Sequence, residues 1–264
     1  AKKLWQLEVY NIVDDKTEQW TADFLLGCTG YYNYDQGFKP SFPQEDQFKG
    51  QVIHPQHWPE DLDYSDKKVV IVGSGATGIT LVPAMAATAA HVTMLQRSPT
   101  YIAAVPSIDK LYVKMKKMMP EKVAYSLTRM RNIGLQRIIY KLSLEKPELV
   151  KKLLLKNVRM RIGKDVDMKH FTPSYNPWDQ RLCAVPDGDL FKVIKKGKAS
   201  IETDQIDHFT ENGILLKSGK HLDADIIVSA TGLNIQILGG VQATIDGTPI
   251  STCDHMLYKG ILLS

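Results

Sequence analysis

The sequence predicts an α/β protein built around a parallel sheet, and three observations predict it. An apolar strand at 68–72, a glycine turn and an alanine-rich helix over about 77–88 lead into a second apolar strand at 91–96. That order is a βαβ unit, whose two strands run parallel. Residues 108–164 carry apolar side chains three and four positions apart, broken at Pro120 and Pro147, as consecutive helices would. Beyond residue 199, short strands alternate with the turn pairs Asn212-Gly213 and Ser218-Gly219.

From the N-terminus, residues 4–30 read as short strands around a polar turn at Asp14, Asp15 and Lys16, closing with an apolar strand that stops at Gly30. Residues 31–66 hold many turn formers and little helical periodicity, as expected of a linker, and within them lies the stretch FKGQVIHPQHWPE at 48–60. After the βαβ unit and the helices, residues 165–190 form a loop region containing prolines and aromatics. One internal echo stands out: ADFLLGCTG at 22–30 and ADIIVSATG at 224–232 are both apolar strands ending in Thr-Gly.

With 264 residues, 44% of them hydrophobic, the chain can bury the core of one large or two ordinary domains. Cys28, Cys183 and Cys253 show no CxxC or paired spacing, so neither a disulfide framework nor a zinc site is indicated and a reducing, cytoplasmic compartment fits. No apolar run reaches the ~18–20 residues of a membrane-spanning helix, and the first residues lack the layout of a secretory signal. The net charge of +4 is unevenly spread: residues 108–164 hold 16 Lys and Arg against 4 Asp and Glu, a local +12 that leaves −8 elsewhere. Such a segment is either a set of solvated helix faces or a weak contact for an anionic membrane surface or acidic partner. No nucleic-acid-binding module, Ser–His–Asp arrangement or metal-ligand spacing is present, and His91, His170, His208, His221 and His255 receive structural readings.

In VVIVGSGATG the glycines at 73, 75 and 78 form G-x-G-x-x-G between a strand and a helix. Each has a task in a Rossmann-like site: Gly73 makes the tight turn, Gly75 lets a pyrophosphate approach the backbone, and Gly78 lets the helix pack on the strand. Ser74, Ala76 and Thr77 complete the loop, and the free N–H groups at the helix start would face the anion. The second strand ends in Gln96-Arg97-Ser98 where a carboxylate for a ribose 2′-hydroxyl would otherwise be expected. Arg97 suits a 2′-phosphate, hence NADP over NAD.

Here the sequence resembles the class B flavoprotein monooxygenases, and among them the Baeyer–Villiger type. That family carries F-x-G-x-x-x-H-x-x-x-W-P just upstream of its NADPH loop, and Phe48, Gly50, His54, Trp58 and Pro59 match every fixed position. The resemblance implies an NADPH-binding domain at 67–232 with a helical insertion at 108–164, joined through the linker 31–66 to FAD-domain portions at 1–30 and 233–264. No first G-x-G-x-x-G for FAD precedes Gly73, so the FAD-binding domain is read as incomplete and the chain as the middle of a longer protein. The resemblance further implies that FAD and NADPH, with O2, oxygenate a ketone or a sulfur compound through a flavin C4a-peroxide. It makes His54 the residue that couples domain motion to catalysis and puts Arg181, in YNPWDQRLC, beside flavin and nicotinamide as a fixed positive charge. The alternative for Arg181 is an ion pair with Asp179 or Asp187. Two alternative functions stay open at this point, an N- or S-oxygenating flavin monooxygenase, against which Trp58 argues, and a non-catalytic dinucleotide-fold module that binds a membrane surface or partner.

Overall fold

The computed structural model describes residues 4–250 and, as backbone only, two short strands at 257–258 and 262–263; Cys253 and His255 lie outside the described residues. In chain order the elements are β1 (Trp5–Asn11), β2 (Lys16–Ala22), β3 (Tyr32–Gly37), β4 (Gln51–Ile53), β5 (Lys68–Val72), α1 (Ala76–Met85), β6 (His91–Gln96) and β7 (Tyr101–Val105). Then come α2 (Lys110–Lys116), α3 (Glu121–Glu145), α4 (Pro147–Ile162), β8 (Leu182–Pro186), α5 (Asp189–Lys195) and β9 (Ala199–Thr203). The chain continues with β10 (Ile206–Thr210), β11 (Gly213–Leu216), β12 (His221–Asp223), β13 (Ile226–Ser229), β14 (Leu233–Ile235) and the short strands from β15 (Thr244–Ile245) to β18 (Leu262–Leu263). The chain divides into two units, one made of residues 1–37 and 233–264 and the other of residues 38–232.

The larger unit is built on an all-parallel sheet in the order β4-β13-β5-β6-β9. Its central strands β13 and β5 are nearly continuous buried apolar runs because both faces are covered. Val69, Ile71, Val92, Met94, Ile226 and Val228 point to one side, into a core shared with α1, α5 and α4. Their neighbours Val70, Val72, Leu95 and Ile227 point to the other, against Phe48, Phe209 and the antiparallel β10-β11-β12 meander. The two-residue alternation of a strand thus feeds two cores from one sheet. β7 and β8 form a separate parallel pair packed near α4.

The helical insertion starts and stops where the sequence places it. Asp109 caps α2, accepting from the backbone N–H groups of Leu111 and Tyr112, and also pairs with Arg131 of α3. Pro120 precedes α3, and Pro147 opens α4 at a first-turn position where its missing N–H costs nothing.

Two expectations are corrected. The stretch 22–30 forms no strand beyond Ala22, and Phe24 and Leu26 are exposed. A strand requires a neighbour to hydrogen-bond, and among the described residues none pairs with this segment. Its echo at 224–232 is seated between β4 and β5 and forms the buried β13. Nor are residues 31–66 a plain linker: β3 pairs with β14 in the smaller unit, and β4 is the edge strand of the parallel sheet in the larger one.

Candidate functional site

The C-terminal ends of β5 and β6 carry the site. Gly73 continues the β5 ladder by donating to the carbonyl of Leu95 at 2.8 Å and then turns with φ 125°; a side chain there would meet the Ala230 carbonyl oxygen at 2.3 Å. Gly78 sits over the Gly73 carbonyl, which a Cβ would approach to 2.2 Å, so this glycine lets α1 lie directly on the turn. Gly75 is the residue before the helix, with ordinary backbone angles (φ −75°), and no side chain caps α1. Ser74 is buried, whereas Ala76 and Thr77 are exposed. The first N–H groups of α1 are therefore left open to a ligand, the arrangement that binds a phosphate.

Arg181 converges on this loop. A Cβ built on Gly75 would lie 3.7 Å from Arg181 Nη1, across 106 residues of sequence. The arginine pairs with neither alternative partner: Asp179 accepts from the Asn176 N–H, and Asp187 accepts from the Ser107 backbone and hydroxyl. Those two Ser107 bonds hold the Asp187 carboxyl below the usual carboxylate range. Arg181 is instead held by its backbone, whose carbonyl accepts from the Tyr175 hydroxyl at 3.2 Å. Tyr175 in turn is fixed by Thr100 at 3.2 Å, and by buried Tyr101, which meets it edge to face and donates to its carbonyl at 2.7 Å. Burial pushes the Tyr101 hydroxyl up to about 12, so it stays a neutral donor at physiological pH. The residue is exposed, its backbone is held by Tyr175, and its guanidinium is permanently charged beside the open start of α1.

Arg97, one residue beyond β6, is exposed and has no hydrogen bond or ion pair among the described residues, and Ser98 beside it is exposed too. Gln96 differs from expectation. It is buried, and both amide hydrogens are committed, to the His170 carbonyl at 2.7 Å and the Thr203 hydroxyl at 2.9 Å. It ties the loop before β8 to the sheet and has no donor left for a cofactor.

His54 lies where the chain enters and leaves the larger unit. Its Nδ1 accepts from the Gln56 N–H at 3.3 Å, and its Nε2 contacts the Gly232 carbonyl at 3.0 Å. A backbone N–H can only donate and a carbonyl can only accept, so the ring carries its proton on Nε2. The same Gly232 carbonyl accepts from the N–H of Phe38, and Thr231 Oγ1 donates to the Phe38 carbonyl at 2.7 Å. His54 therefore holds Gly232, the last residue of the unit, at the carbonyl to which Phe38, its first residue, is also bonded. The other matched positions have packing reasons: Phe48 meets Phe209 edge-on, Trp58 meets Tyr64 edge-on, and a Cβ on Gly50 would strike the Asp225 carbonyl at 2.2 Å.

Sequence reasoning missed Tyr175, Thr100 and Trp178. Trp178 has φ 75°, uncommon for a bulky residue, and its ring meets Tyr140 of α3 edge to face at 5.8 Å. The helical insertion thus reaches the Arg181 loop through one aromatic pair. Only the turn formers Asn176 and Pro177 hint at this in the sequence. Cys183, two residues after Arg181, is buried and its thiol is pushed up by desolvation, which makes it a packing residue and not a nucleophile.

Comparison with known proteins adds three findings. The model of the flavin-binding monooxygenase-like family matches residues 2–239. The protein named Probable FAD-binding monooxygenase AlmA from Acinetobacter baylyi is 66% identical over 265 residues, covering 100% of this chain and 53% of the relative, so the chain spans about half the length of that relative. Among solved structures, OTEMO in complex with FAD and NADP superposes with a TM-score of 0.64 at 20% identity, covering 90% of this chain and 51% of that one, and the open form of cyclohexanone monooxygenase with 0.64 at 17%, covering 96% and 60%.

Proposed function

The chain belongs to the flavin-binding monooxygenase-like family, and from that premise we propose that it is the NADP-binding part of an FAD- and NADPH-dependent monooxygenase of the Baeyer–Villiger type, acting on ketones or sulfur compounds. The observation that carries this reading is the convergence of Arg181 on the glycine loop. NADPH, when bound, supplies hydride and FAD passes the electrons to O2.

The residues present fit the dinucleotide. Gly73 and Gly78 leave no room for side chains, the start of α1 offers unpaired N–H groups, and Arg97 offers an unpaired guanidinium for a 2′-phosphate. No second strand, glycine loop and helix of this kind occurs among the described residues, so none of them is assigned to the FAD pyrophosphate. Arg181, in this reading, first draws the dinucleotide's charge onto the loop and then steadies negative charge that develops on oxygen. It can do both because its backbone is fixed and its charge is paired with no carboxylate among the described residues. The N- or S-oxygenating alternative shares all of this, with Trp58 favouring the Baeyer–Villiger type.

The test uses the full-length protein that contains this chain. NADPH, O2 and a ketone or sulfide should be consumed in equal amounts, with one oxygen atom in the product. Arg181→Ala should keep its flavin and its melting temperature while turnover falls about 10²–10³-fold, the usual loss for one preorganised electrostatic contact. Arg181→Lys should recover little, since it lacks the planar fork. A flavin-loaded Arg181→Ala enzyme with wild-type turnover would remove the arginine from the site, and NADPH oxidation without oxygenated product from any ketone or sulfide would overturn the function.

A further inference from the structure

The loop that carries Arg181 holds a residue in a place its type resists. Asn176, Pro177, Trp178 and Asp179 form a turn closed twice: the Asp179 N–H donates to the Asn176 carbonyl at 3.1 Å, and the Asn176 N–H donates to the Asp179 carboxylate at 3.2 Å. Proline at the second position and a φ of 75° at the third are the marks of a type II turn, whose third position is ordinarily glycine or asparagine. Tryptophan stands there instead, and a left-handed backbone costs a bulky residue stability. Burial does not offset that cost, since Trp178 is 47% exposed and Tyr140 is 50% exposed. What the ring gains is the edge-to-face contact with Tyr140 of α3, with centroids 5.8 Å apart. Glycine would close the same turn without strain, so the turn alone does not call for a ring.

We infer that Trp178 is a positioning residue for Arg181: its contact with Tyr140 fixes the turn, and through the turn the backbone from which the arginine reaches the start of α1. Tyr175, just before the turn, is fastened to Thr100 and Tyr101, and its hydroxyl donates to the Arg181 carbonyl at 3.2 Å. One anchored carbonyl leaves the chain free to pivot about it. A contact made from the turn itself removes that freedom, and Trp178 makes it. The positive φ turns the Cα–Cβ bond to a direction that an ordinary backbone would not give, and along it the ring meets α3. Strain kept at such a point belongs with sites that depend on geometry, and Arg181 is such a site. A group misplaced by about 1 Å can lose ~10²-fold in rate. The role rests on the proposal that Arg181 serves the dinucleotide and the oxygen chemistry, and Trp178 acts through that arginine.

The experiment uses the full-length, flavin-loaded protein and measures melting temperature, NADP affinity and anaerobic flavin reduction by NADPH. Glycine removes ring and strain together, so Trp178→Gly should melt close to wild type and keep its flavin. It should bind NADP about 10-fold more weakly and reduce flavin about 10–100-fold more slowly. Tyr140→Leu, which suits the helix and leaves the loop untouched, should show the same losses. The Trp178→Gly/Tyr140→Leu double variant should lose no more than either single one, since both remove one contact. Trp178→Phe keeps a ring for Tyr140 and should recover most of the rate. Added to Arg181→Ala, Trp178→Gly should cost nothing further. The role is overturned by wild-type affinity and reduction in Trp178→Gly or Tyr140→Leu, by losses that follow a lowered melting temperature and lost flavin in both, or by losses that add in full to those of Arg181→Ala. Arg181→Ala also separates this role from the reading beneath it. If that variant keeps wild-type affinity and reduction, the reading of Arg181 falls and the role with it; if it loses them and the ring variants do not, only the role of Trp178 falls.

Discussion

In the proposed reading, a single arginine sets the preference for the phosphorylated cofactor. Arg97 follows the strand beside the glycine loop, is exposed, and has no partner among the described residues. Arg97→Glu should therefore leave the fold intact and reverse the preference between NADP and NAD in a binding titration, weakening NADP by about 10–100-fold, the worth of one charge-assisted hydrogen bond or two. Equal affinities before and after the change would sink the assignment. The neighbour shows where residue types mislead. Gln96 has the chemistry of a cofactor donor, but a strand alternates its side chains, and the register of β6 turns Gln96 inward to His170 and Thr203 while Arg97 escapes the sheet. Arg181 was legible as a residue type and illegible as a neighbour of Gly75, because the two are brought together by Tyr175 and Tyr101, which no local pattern connects to the glycine loop.

At the scale of the element, the strand, turn and helix from 68 to 96 were legible in the sequence because their reasons are local: apolar runs, glycines at fixed offsets, and a helix with room to start. The three glycines are nonetheless not equivalent, and α1 makes a prediction from the difference. A methyl group at Gly78 would press on the Gly73 carbonyl, with backbone on both sides of the clash and no flexible atom to yield. Gly78→Ala should cost on the order of 1–3 kcal/mol or more of stability by forcing α1 off the turn. At Gly75 the backbone angles are ordinary and a methyl group meets only the tip of Arg181 at van der Waals distance. Gly75→Ala should melt as wild type does and lose NADPH affinity, because the methyl group fills the space a pyrophosphate would use. Melting curves and cofactor titrations on both variants separate the roles, and equal destabilisation by the two would refute the distinction. The pair of echoing segments makes the opposite point. ADFLLGCTG and ADIIVSATG differ little as patterns, but only the second has strands on both sides, and pairing is information that lies elsewhere in the chain.

At the scale of the molecule, burial is confined to one of the two units. Both hydrophobic cores lie entirely within residues 38–232, and none of the described residues of the smaller unit is buried. Trp5, Tyr10, Trp20 and Phe24 are exposed there, so the β1-β2 hairpin is held by its ladder with little hydrophobic support, a marginal state for an isolated hairpin in water. The larger unit, by contrast, has its ends tied: Phe38 donates to the Gly232 carbonyl and accepts from the Thr231 hydroxyl, and His54 holds the same Gly232 carbonyl, so cutting the chain at both points leaves the sheet and both cores untouched. Residues 38–232 made alone should therefore unfold in one cooperative transition and bind NADP without retaining flavin. Limited proteolysis of the 264-residue chain should arrive at nearly the same fragment by trimming from both ends. In that fragment His54→Ala should fray the tie at Phe38 and Gly232, which hydrogen exchange would register as faster opening at the Phe38 amide, with the exchange of β5, β6 and β13 unchanged. An excised unit that does not fold, or a 264-residue chain that purifies with stoichiometric flavin, would show that the smaller unit contributes a core that the burial pattern does not contain.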